Sequence, residues 1–264
     1  MRTSALTQEA VKRATLQNKP IEVMGLPFYG ITMDRYEEWQ SDKSVLLARQ
    51  STLPVFCLTM PFIDALFTLD LAALEETSKL AGTMGHILRV MALSLRLPED
   101  SVKNRQIALV THNMELKGFS VMMPDGMQQF IPKEQFPQIR QIIAWQQGED
   151  VPDESLNDEL LEDEKWIAQR NAANLELDFD SLLSSVSLNA RLRIADIYGM
   201  SILEFEMLRR AIDRDKRYMI CGIAENNGTK WKGGNPCPSW CYDRKQADSS
   251  TLTHVSKFEG IAQR

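Results

Sequence analysis

Apolar residues recur every three or four positions along much of this chain. Segments 62–69, 80–95 and 136–143 show this spacing in the first half, and the second of them stops before Pro98. Such spacing places apolar side chains on one face of an α-helix, and a proline blocks the continuation of a helix. The pattern predicts three helices here, the longest starting near Leu74, and a shorter helix through Tyr36 before them.

Stretches between these helices carry β-type patterns. Ile21 to Met24 alternates between apolar and polar residues and is followed by glycine and proline. Ile107 to Val110, Leu116 to Met122 and Gln128 to Ile131 are β-prone, and Pro124-Asp-Gly marks a turn between the last two. We expect an α+β fold that is mostly helical, with a small β-hairpin or sheet in the first half and a helical C-terminal half.

The second half of the chain predicts two helices joined at a glycine. Gly199 is expected to end the first of them in the left-handed conformation. Ser201 and Glu204 form a capping-box pattern at the start of the second. Apolar residues from Ile202 to Ile212 follow at helical spacing, and Tyr218 to Ile223 resembles a β-strand.

An acidic tract marks the clearest boundary. Between Glu149 and Glu164 there are nine acidic residues and no basic one, and like charges keep such a segment extended and solvated. A docking tract for a basic partner is the alternative interpretation. The predicted organisation is a flexible N-terminal arm (1–19), an α+β domain (20–147), an acidic linker (148–164), a helical domain (165–223) and a turn-rich C-terminal segment (224–264). Asp180 is expected to cap a helix around Leu182 to Val186.

Composition and charge disfavour nucleic acids and membrane surfaces as partners. The chain has 264 residues, 44% of them hydrophobic and 25% charged, and a net charge of -6. A net acidic protein is poorly suited to polyanions such as nucleic acids and membrane surfaces. Met1 to Gln17 lacks the apolar core of a secretory signal, and four unevenly spaced cysteines do not form a disulfide framework. We therefore expect a cytosolic protein with reduced thiols.

Four residues invite a metal-site interpretation. Cys237 and Cys241 form a Cys-x3-Cys pair, with Cys221 upstream and His254 downstream. Cysteine and histidine are zinc ligands, but the spacing is not that of paired zinc knuckles. The preferred interpretation is that the cysteines act as small apolar groups while the aromatic residues beside them dock the tail. No metal and no other cofactor is predicted.

No catalytic set emerges from the sequence. His86 lies in an apolar helix and is interpreted as a satisfied core or edge residue. No serine or cysteine stands at a Gly-x-Ser-x-Gly elbow, and no glycine-rich phosphate-binding loop is present. We predict that the protein is not an enzyme.

The helix pair also has features of a DNA-reading helix-turn-helix. Ala195, Gly199 and Ser201 match the small residue, turn glycine and cap of that motif. However, the first exposed positions of the second helix are Glu204 and Glu206, which phosphates repel. Because affinity for the DNA backbone needs a basic surface, two packed helices are the preferred interpretation.

Three stretches together resemble a known protein family. The first is Ile21-Glu-Val-Met-Gly-Leu-Pro-Phe-Tyr, with Leu53-Pro54 and the apolar helix after it. The second is Met127 to Gln147, followed at once by the acidic stretch. The third is Tyr-Gly-Met-Ser-x-x-Glu-Phe at 198–205, with Gly-Asn-Pro-x-Pro-Ser-Trp at 234–240. Together they resemble the small tail-gene proteins of phages and prophages in Gram-positive hosts that are regarded as tail assembly chaperones.

The resemblance implies a non-enzymatic protein that binds other phage tail proteins, such as the tape-measure protein, in the host cytoplasm. No catalytic residues are carried over from the family. Aromatic residues of the C-terminal half are the candidates for protein contacts: Tyr198, Phe205, Trp240 and Tyr242. The 13 methionines of the chain suit this role, since methionine-lined surfaces adapt to varied partners.

Two further hypotheses remain open. One is a structural component of the virion, such as a tail or connector piece. The other is a zinc-binding or helix-turn-helix nucleic-acid or regulatory protein that uses Cys237, Cys241 and the helix pair. The oligomeric state is not predicted.

Overall fold

The α+β class is confirmed by the computed structural model, which describes residues 6–76, 82–123, 126–154, 178–231 and 234–241. The described residues form eight α-helices and two small antiparallel sheets. Both sheets lie in the first half, and the second half is helical, as predicted. None of the described helices has the length and apolar character needed to cross a membrane.

The elements follow one another in a simple order. The helices are α1 (Gln8–Leu16), α2 (Tyr36–Leu46), α3 (Phe62–Glu76), α4 (Thr83–Ser94), α5 (Phe136–Gln146), α6 (Phe179–Ala190), α7 (Ile194–Tyr198) and α8 (Ile202–Asn226). The strands are β1 (Ile21–Val23), β2 (Leu26–Phe28), β3 (Ile107–His112), β4 (Glu115–Met122) and β5 (Gln128–Pro132).

The chain divides into two compact units. The first comprises Met1–Glu154 together with Gly199–Leu203, and the second comprises Ser155–Tyr198 and Glu204–Arg264. The division after Glu154 falls within the predicted acidic linker.

The N-terminal segment is a packed helix, so the prediction of a loose arm is wrong for Gln8–Leu16. Thr7 caps α1 by accepting a hydrogen bond from the Ala10 N–H. Val11 and Thr15 are buried, and α1 packs against α5. A single apolar residue at the right point of contact is enough to anchor a helix whose other residues are mostly polar.

The β1–β2 hairpin is tied to the core by buried polar side chains. The hydroxyl of Ser94 donates to the Tyr29 carbonyl over 2.9 Å, and the side-chain amide of Gln146 donates to the Phe28 carbonyl over 2.7 Å. Ser94 and Gln146 come from α4 and α5, and both are fully buried. Because unpaired buried polar groups are costly, these bonds fix where the hairpin lies on the helices.

Helix α4 is the central element of the first unit. Its buried residues include Met84, Ile87, Val90 and Met91, so it is apolar on several faces. It begins at Thr83 rather than near Leu74, because α3 continues to Glu76. The predicted core position Leu80 lies outside the described residues.

The start of α4 is capped from a neighbouring helix. The Asp70 carboxylate, on α3, accepts hydrogen bonds from the N–H groups of Gly82, Thr83 and Met84 over 3.1, 2.9 and 2.8 Å. A carboxylate at this position satisfies the otherwise unpaired first N–H groups of a helix.

A buried carboxylate joins α2 to α4. Asp42 is 2% exposed and accepts two hydrogen bonds from the Arg89 guanidinium, over 2.8 and 2.9 Å. The Nδ1 atom of His86 lies 2.5 Å from the same carboxylate. The interpretation of His86 as a satisfied core or edge residue is confirmed.

The second sheet has the order β3-β4-β5, with β4 in the centre. Residue Gly118 of β4 pairs with Val110 on one side and Pro132 on the other, beside an irregularity in the β3–β4 register. A Cβ atom built on Gly118 would lie 2.1 Å from the carbonyl oxygen of Ile131 and 2.9 Å from the Phe130 ring. Only glycine lets the two strands approach this closely.

The first acidic residues of the predicted linker bind to the first unit. The side-chain amide of Gln8 donates to Asp150, and the Gln50 N–H donates to the Glu154 carboxylate over 2.9 Å. Glu149 lies 3.5 Å from the Lys43 ammonium. These residues lie outside helices and strands and are half-buried or exposed, and they contact other residues of the same unit. Residues 155–164 lie outside the described residues.

The first unit is completed by a segment that comes much later in the chain. The N–H of Met33 donates to the Met200 carbonyl over 2.8 Å, and the N–H of Ile202 donates to the Ile31 carbonyl over 2.9 Å. These two bonds flank an antiparallel bridge between Thr32 and Ser201. Residues Gly199–Leu203 thus add a short β-like strip to the first unit.

The helices around 178–203 differ from the predicted ones in three details. The cap of α6 is Asp178, whose side chain accepts from the Ser181 N–H, and not Asp180. The turn after α6 places Arg191 in the left-handed conformation, with φ 56° and ψ 39°. Gly199 is not among the described glycines with positive φ, so its predicted role as a left-handed stop is wrong.

Helix α8 runs without interruption for 25 residues, from Ile202 to Asn226. The prediction of a strand over Tyr218 to Ile223 is wrong, because this run forms the last two turns of α8. The helix ends before Gly228, which has a φ of 88°. Residues 155–177, which include the predicted helix at Trp166, lie outside the described residues.

Candidate functional site

The end of α8 exposes an unusual number of apolar side chains. Ile220 is 64% exposed, Ile223 60%, Met219 52% and Tyr218 39%. In a helix, consecutive residues point about 100° apart, so an apolar run such as 218–223 covers several faces and cannot all be buried against one neighbour. An exposed group of large apolar side chains of this kind is typical of protein-binding surfaces.

A groove lies beside this apolar end within the second unit. It has a volume of about 490 Å³ and is lined by the end of α6, the middle of α8 and the turn at Trp240 and Cys241. Its apolar lining includes Leu208, Ile212 and Met219. The Arg214 guanidinium donates to the Cys241 carbonyl over 3.4 Å, which holds the turn near α8.

The predicted contact residues have different environments. Trp240 is 62% exposed and lines the groove, so it lies along α8 without being buried. Tyr198 is about one-third exposed. Phe205 has no exposed surface and is a core residue, so its selection as a contact residue is wrong. Tyr242 lies outside the described residues.

The cysteines do not gather with other ligands into a metal centre in the part of the chain that the structure describes. Cys221 is buried on α8, Cys237 is half-buried and Cys241 is exposed. Burial, followed by a hydrogen bond with Cys237, raises the pKa of the Cys221 thiol. Metals bind the thiolate form, so this environment disfavours Cys221 as a ligand. His254 lies outside the described residues.

Arg209, an arginine of the predicted recognition helix, is already paired with carboxylates. The Arg209 guanidinium lies 2.8 Å from Glu206 and 3.8 Å from Asp213. The preceding helix, α7, has only five residues. Arginine side chains that are neutralised within their own helix contribute little attraction for phosphates.

A second, smaller cavity lies in the first unit. It has a volume of about 150 Å³ and is lined at the starts of α3 and α5 by residues that include Phe62, Ile63 and Phe136. Charged side chains also line it: Asp64, Lys133, Glu134 and Arg140. The Lys133 ammonium contacts Asp64 over 2.7 Å.

Arg140 is the most unusual side chain of this cavity. It is 7% exposed, and its guanidinium lies 3.7 Å from the centre of the Phe62 ring. Its Nε and one terminal nitrogen donate to the carbonyls of Leu46 and Ala48 over 2.7 and 2.6 Å. Burial lowers the pKa of Arg140 to about 10, against a smaller opposing effect of the Glu154 carboxylate. The guanidinium therefore remains charged at neutral pH while it is largely removed from water.

Sequence reasoning found the groove only in part and missed the cavity. The sequence predicts a contact role for Trp240, which lines the groove, but it predicts a strand where the exposed end of α8 lies. Arg140 lies four residues after Phe136 and three before Ile143, and a charged residue at such a position on an apolar helix face is the signal that could have identified it. No protein-family model, no curated protein and no solved structure matches this chain, so function is inferred from these surfaces and from the sequence resemblance.

Proposed function

We propose that this protein acts by binding other proteins, with the exposed apolar end of α8 as its main contact surface. The observation that carries this proposal is the exposure of Met219, Ile220 and Ile223 on consecutive turns of one helix. Leaving such side chains in water forgoes the free energy of burying them, about 1.5 to 3 kcal/mol for each. A partner that covers them gains that free energy on binding.

The groove beside α8 extends the proposed surface. Trp240 and Met219 both line it and both are more than half exposed. Tryptophan and methionine are enriched in protein interfaces, and methionine adapts to partners of varied shape. A groove with an apolar lining suits an amphipathic helix, which docks through residues on one of its faces.

We further propose that the partners are components of a phage tail, among them the long helical tape-measure protein. The support for this step is the resemblance to tail assembly chaperones over 21–29, 127–147 and 198–205. A chaperone of this kind would bind in the host cytoplasm and keep its partner from aggregating. The class is non-enzymatic, and no catalytic group is assigned.

Introducing charged residues at the proposed surface tests the proposal directly. In the variant Ile220→Glu/Ile223→Glu, we expect at least about tenfold weaker binding to the tape-measure protein encoded in the same prophage, since a charged group in the centre of an interface must be desolvated. Both proteins are produced at full length, and the dissociation constant is measured by calorimetry. Both positions are exposed, so the variant is expected to fold.

Met114→Glu is the matched control. Met114 is 72% exposed on the β3–β4 turn of the first unit, so this variant adds one charge of the same sign at an apolar surface position outside the proposed site. It is expected to bind like the wild type. Equal affinity of the Ile220→Glu/Ile223→Glu variant and the wild type would refute the role of α8, and absence of wild-type binding would refute the proposed partner.

A structural role in the virion is the competing proposal, and the same surface would serve it. The two roles differ in whether the protein remains in the finished particle. We expect mass spectrometry of purified virions to find the tape-measure protein without this chain. Its presence at a fixed ratio to the tail proteins would instead identify a virion component.

A further inference from the structure

The 150 Å³ cavity of the first unit has the size of one large side chain. An apolar cavity of about this volume holds a benzene-sized group in other proteins. Phe62, Ile63 and Phe136 provide apolar contacts here, and the exposed Pro61 and Pro137 stand at the mouth. The lining is therefore complementary to a single aromatic or branched aliphatic group that enters from solvent.

The charges around the cavity favour an anion. Lys133 is neutralised by Asp64, whereas no carboxylate of the described residues lies within ion-pair distance of Arg140; its partners are two carbonyls and a ring. Glu134 is exposed at the rim, where water and salt screen its charge. Arg140 is thus the cation of this cavity with the greatest capacity to gain from a carboxylate.

Backbone dipoles add to this preference. The cavity lies where α3 begins at Phe62 and where α5 begins at Phe136. The N-terminus of an α-helix carries a partial positive charge. Residues at the starts of two helices and a buried arginine therefore line one small space whose walls are mostly apolar.

We propose that this cavity binds the C-terminal residue of a partner protein, with its large apolar side chain against Phe62 and Phe136 and its free carboxylate beside Arg140. A C-terminal residue carries both groups on one Cα atom, so both fit within a site of this size. Capture of a C-terminal carboxylate is a known mode of peptide recognition, and an arginine forms strong charge-assisted hydrogen bonds with a carboxylate. The inference rests on the proposed function only in that the ligand belongs to a protein.

Three short peptides distinguish which chemical groups of the ligand this site recognises. The first is acetyl-Gly-Gly-Phe with a free carboxylate, the second is the same peptide as its C-terminal amide, and the third is acetyl-Gly-Phe-Glu amide. Each is titrated into the full-length protein and followed by NMR of the backbone amides. We expect the free acid to shift the amide signals at the starts of α3 and α5. It should bind at least about tenfold more tightly than either of the other two peptides, because its carboxylate gains a charge-assisted hydrogen bond.

Equal binding of the amide would overturn the carboxylate assignment, and equal binding of the third peptide would overturn the choice of a chain terminus. Absence of saturable shifts with the free acid would overturn the site. None of these results bears on the α8 surface, which is tested with a whole partner and different variants. Failure of this inference is therefore distinguishable from failure of the proposed function.

Variants link the binding to named side chains. Arg140→Met is expected to weaken binding of the free acid about tenfold and to leave the amide unaffected. Arg96→Met is the matched control, because the Arg96 guanidinium lies 4.1 Å from the Tyr29 ring and does not line the cavity. This control is expected to bind the free acid like the wild type.

Glu134→Lys keeps the test decisive if Arg140→Met fails to fold. Glu134 is exposed at the rim, so its replacement is not expected to disturb the core. The added cation should tighten binding of the free acid about threefold at low salt, an effect that disappears at high salt. Unchanged or weaker binding in this variant would contradict the proposal.

Discussion

The variant Gly118→Ala is expected to lose about 3 kcal/mol of stability in the three-stranded sheet, the cost of overpacking a close contact. The added methyl group would lie 2.1 Å from the Ile131 carbonyl oxygen, and this atom belongs to the backbone of the paired strand. A backbone oxygen cannot turn away as a flexible side chain does. The β4 and β5 strands must separate locally, which breaks hydrogen bonds at the centre of the sheet.

Amide hydrogen exchange of β3, β4 and β5 measures this loss where it occurs. The matched control is Gly222→Ala on α8, where no atom lies within 4 Å of the added methyl group. Alanine is the better helix former, so the control is expected to gain up to about 1 kcal/mol in its helix. Unchanged exchange in the sheet of Gly118→Ala would show that the strands can move apart without cost.

Replacing Arg89 by methionine is expected to cost about 3 kcal/mol of unfolding free energy, because a buried carboxylate loses its main partner. Among the described residues, His86 would then be the remaining side-chain partner of Asp42. Urea unfolding at near-neutral pH measures the effect, with Arg96→Met as a control for loss of an arginine that lies over a ring at the protein surface.

A second substitution separates the lost ion pair from lost packing. In the Arg89→Met background, Asp42→Asn removes the buried charge and is expected to restore part of the lost stability. The double variant should therefore be more stable than the sum of the two single effects predicts. Simple additivity would mean that Asp42 and Arg89 stabilise the fold independently.

The stability that Asp42 contributes through its contacts with Arg89 and His86 depends on pH with a definite sign. Burial raises the pKa of Asp42, but hydrogen bonds from Arg89 and His86 outweigh it and hold the pKa below its usual value. The unfolded value is about 4, so the contribution is fully present above that pH and is lost as pH falls through the folded value. The difference in stability between the wild type and Arg89→Met is accordingly expected to shrink in acid.

Periodic patterns predicted the fold class and most elements because the buried faces are regular. The helices at 62–76 and 136–146 and the strands of the second sheet lie where apolar spacing and turn residues placed them. The strand prediction for Tyr218 to Ile223 is wrong, although several residues of this run have a high intrinsic preference for strands. Extending an existing helix fixes one residue at a time with one new hydrogen bond, whereas a strand needs a partner, and no described strand pairs with this run.

Parts of the candidate sites lay beyond sequence reasoning for a different reason. Arg140 contacts the carbonyls at the end of α2 and the ring of Phe62. All of these partners are far from Arg140 in the sequence. The helical spacing of α5 places Arg140 on the apolar face, but it does not show which carbonyls and which ring the guanidinium contacts. The exposure of Trp240 likewise depends on which surfaces are left uncovered after folding, and periodicity carries no information on that.

The strip Gly199–Leu203 has a consequence for synthesis on the ribosome. Residues Ile31 and Met33 emerge early, yet their hydrogen-bond partners Ile202 and Met200 emerge only after the whole acidic tract and α6. The first unit therefore cannot reach its final state while only Met1–Glu154 has been translated. Its last backbone bonds form only when the nascent chain has exposed residues up to Leu203, so completion of the first unit depends on prior synthesis of part of the second.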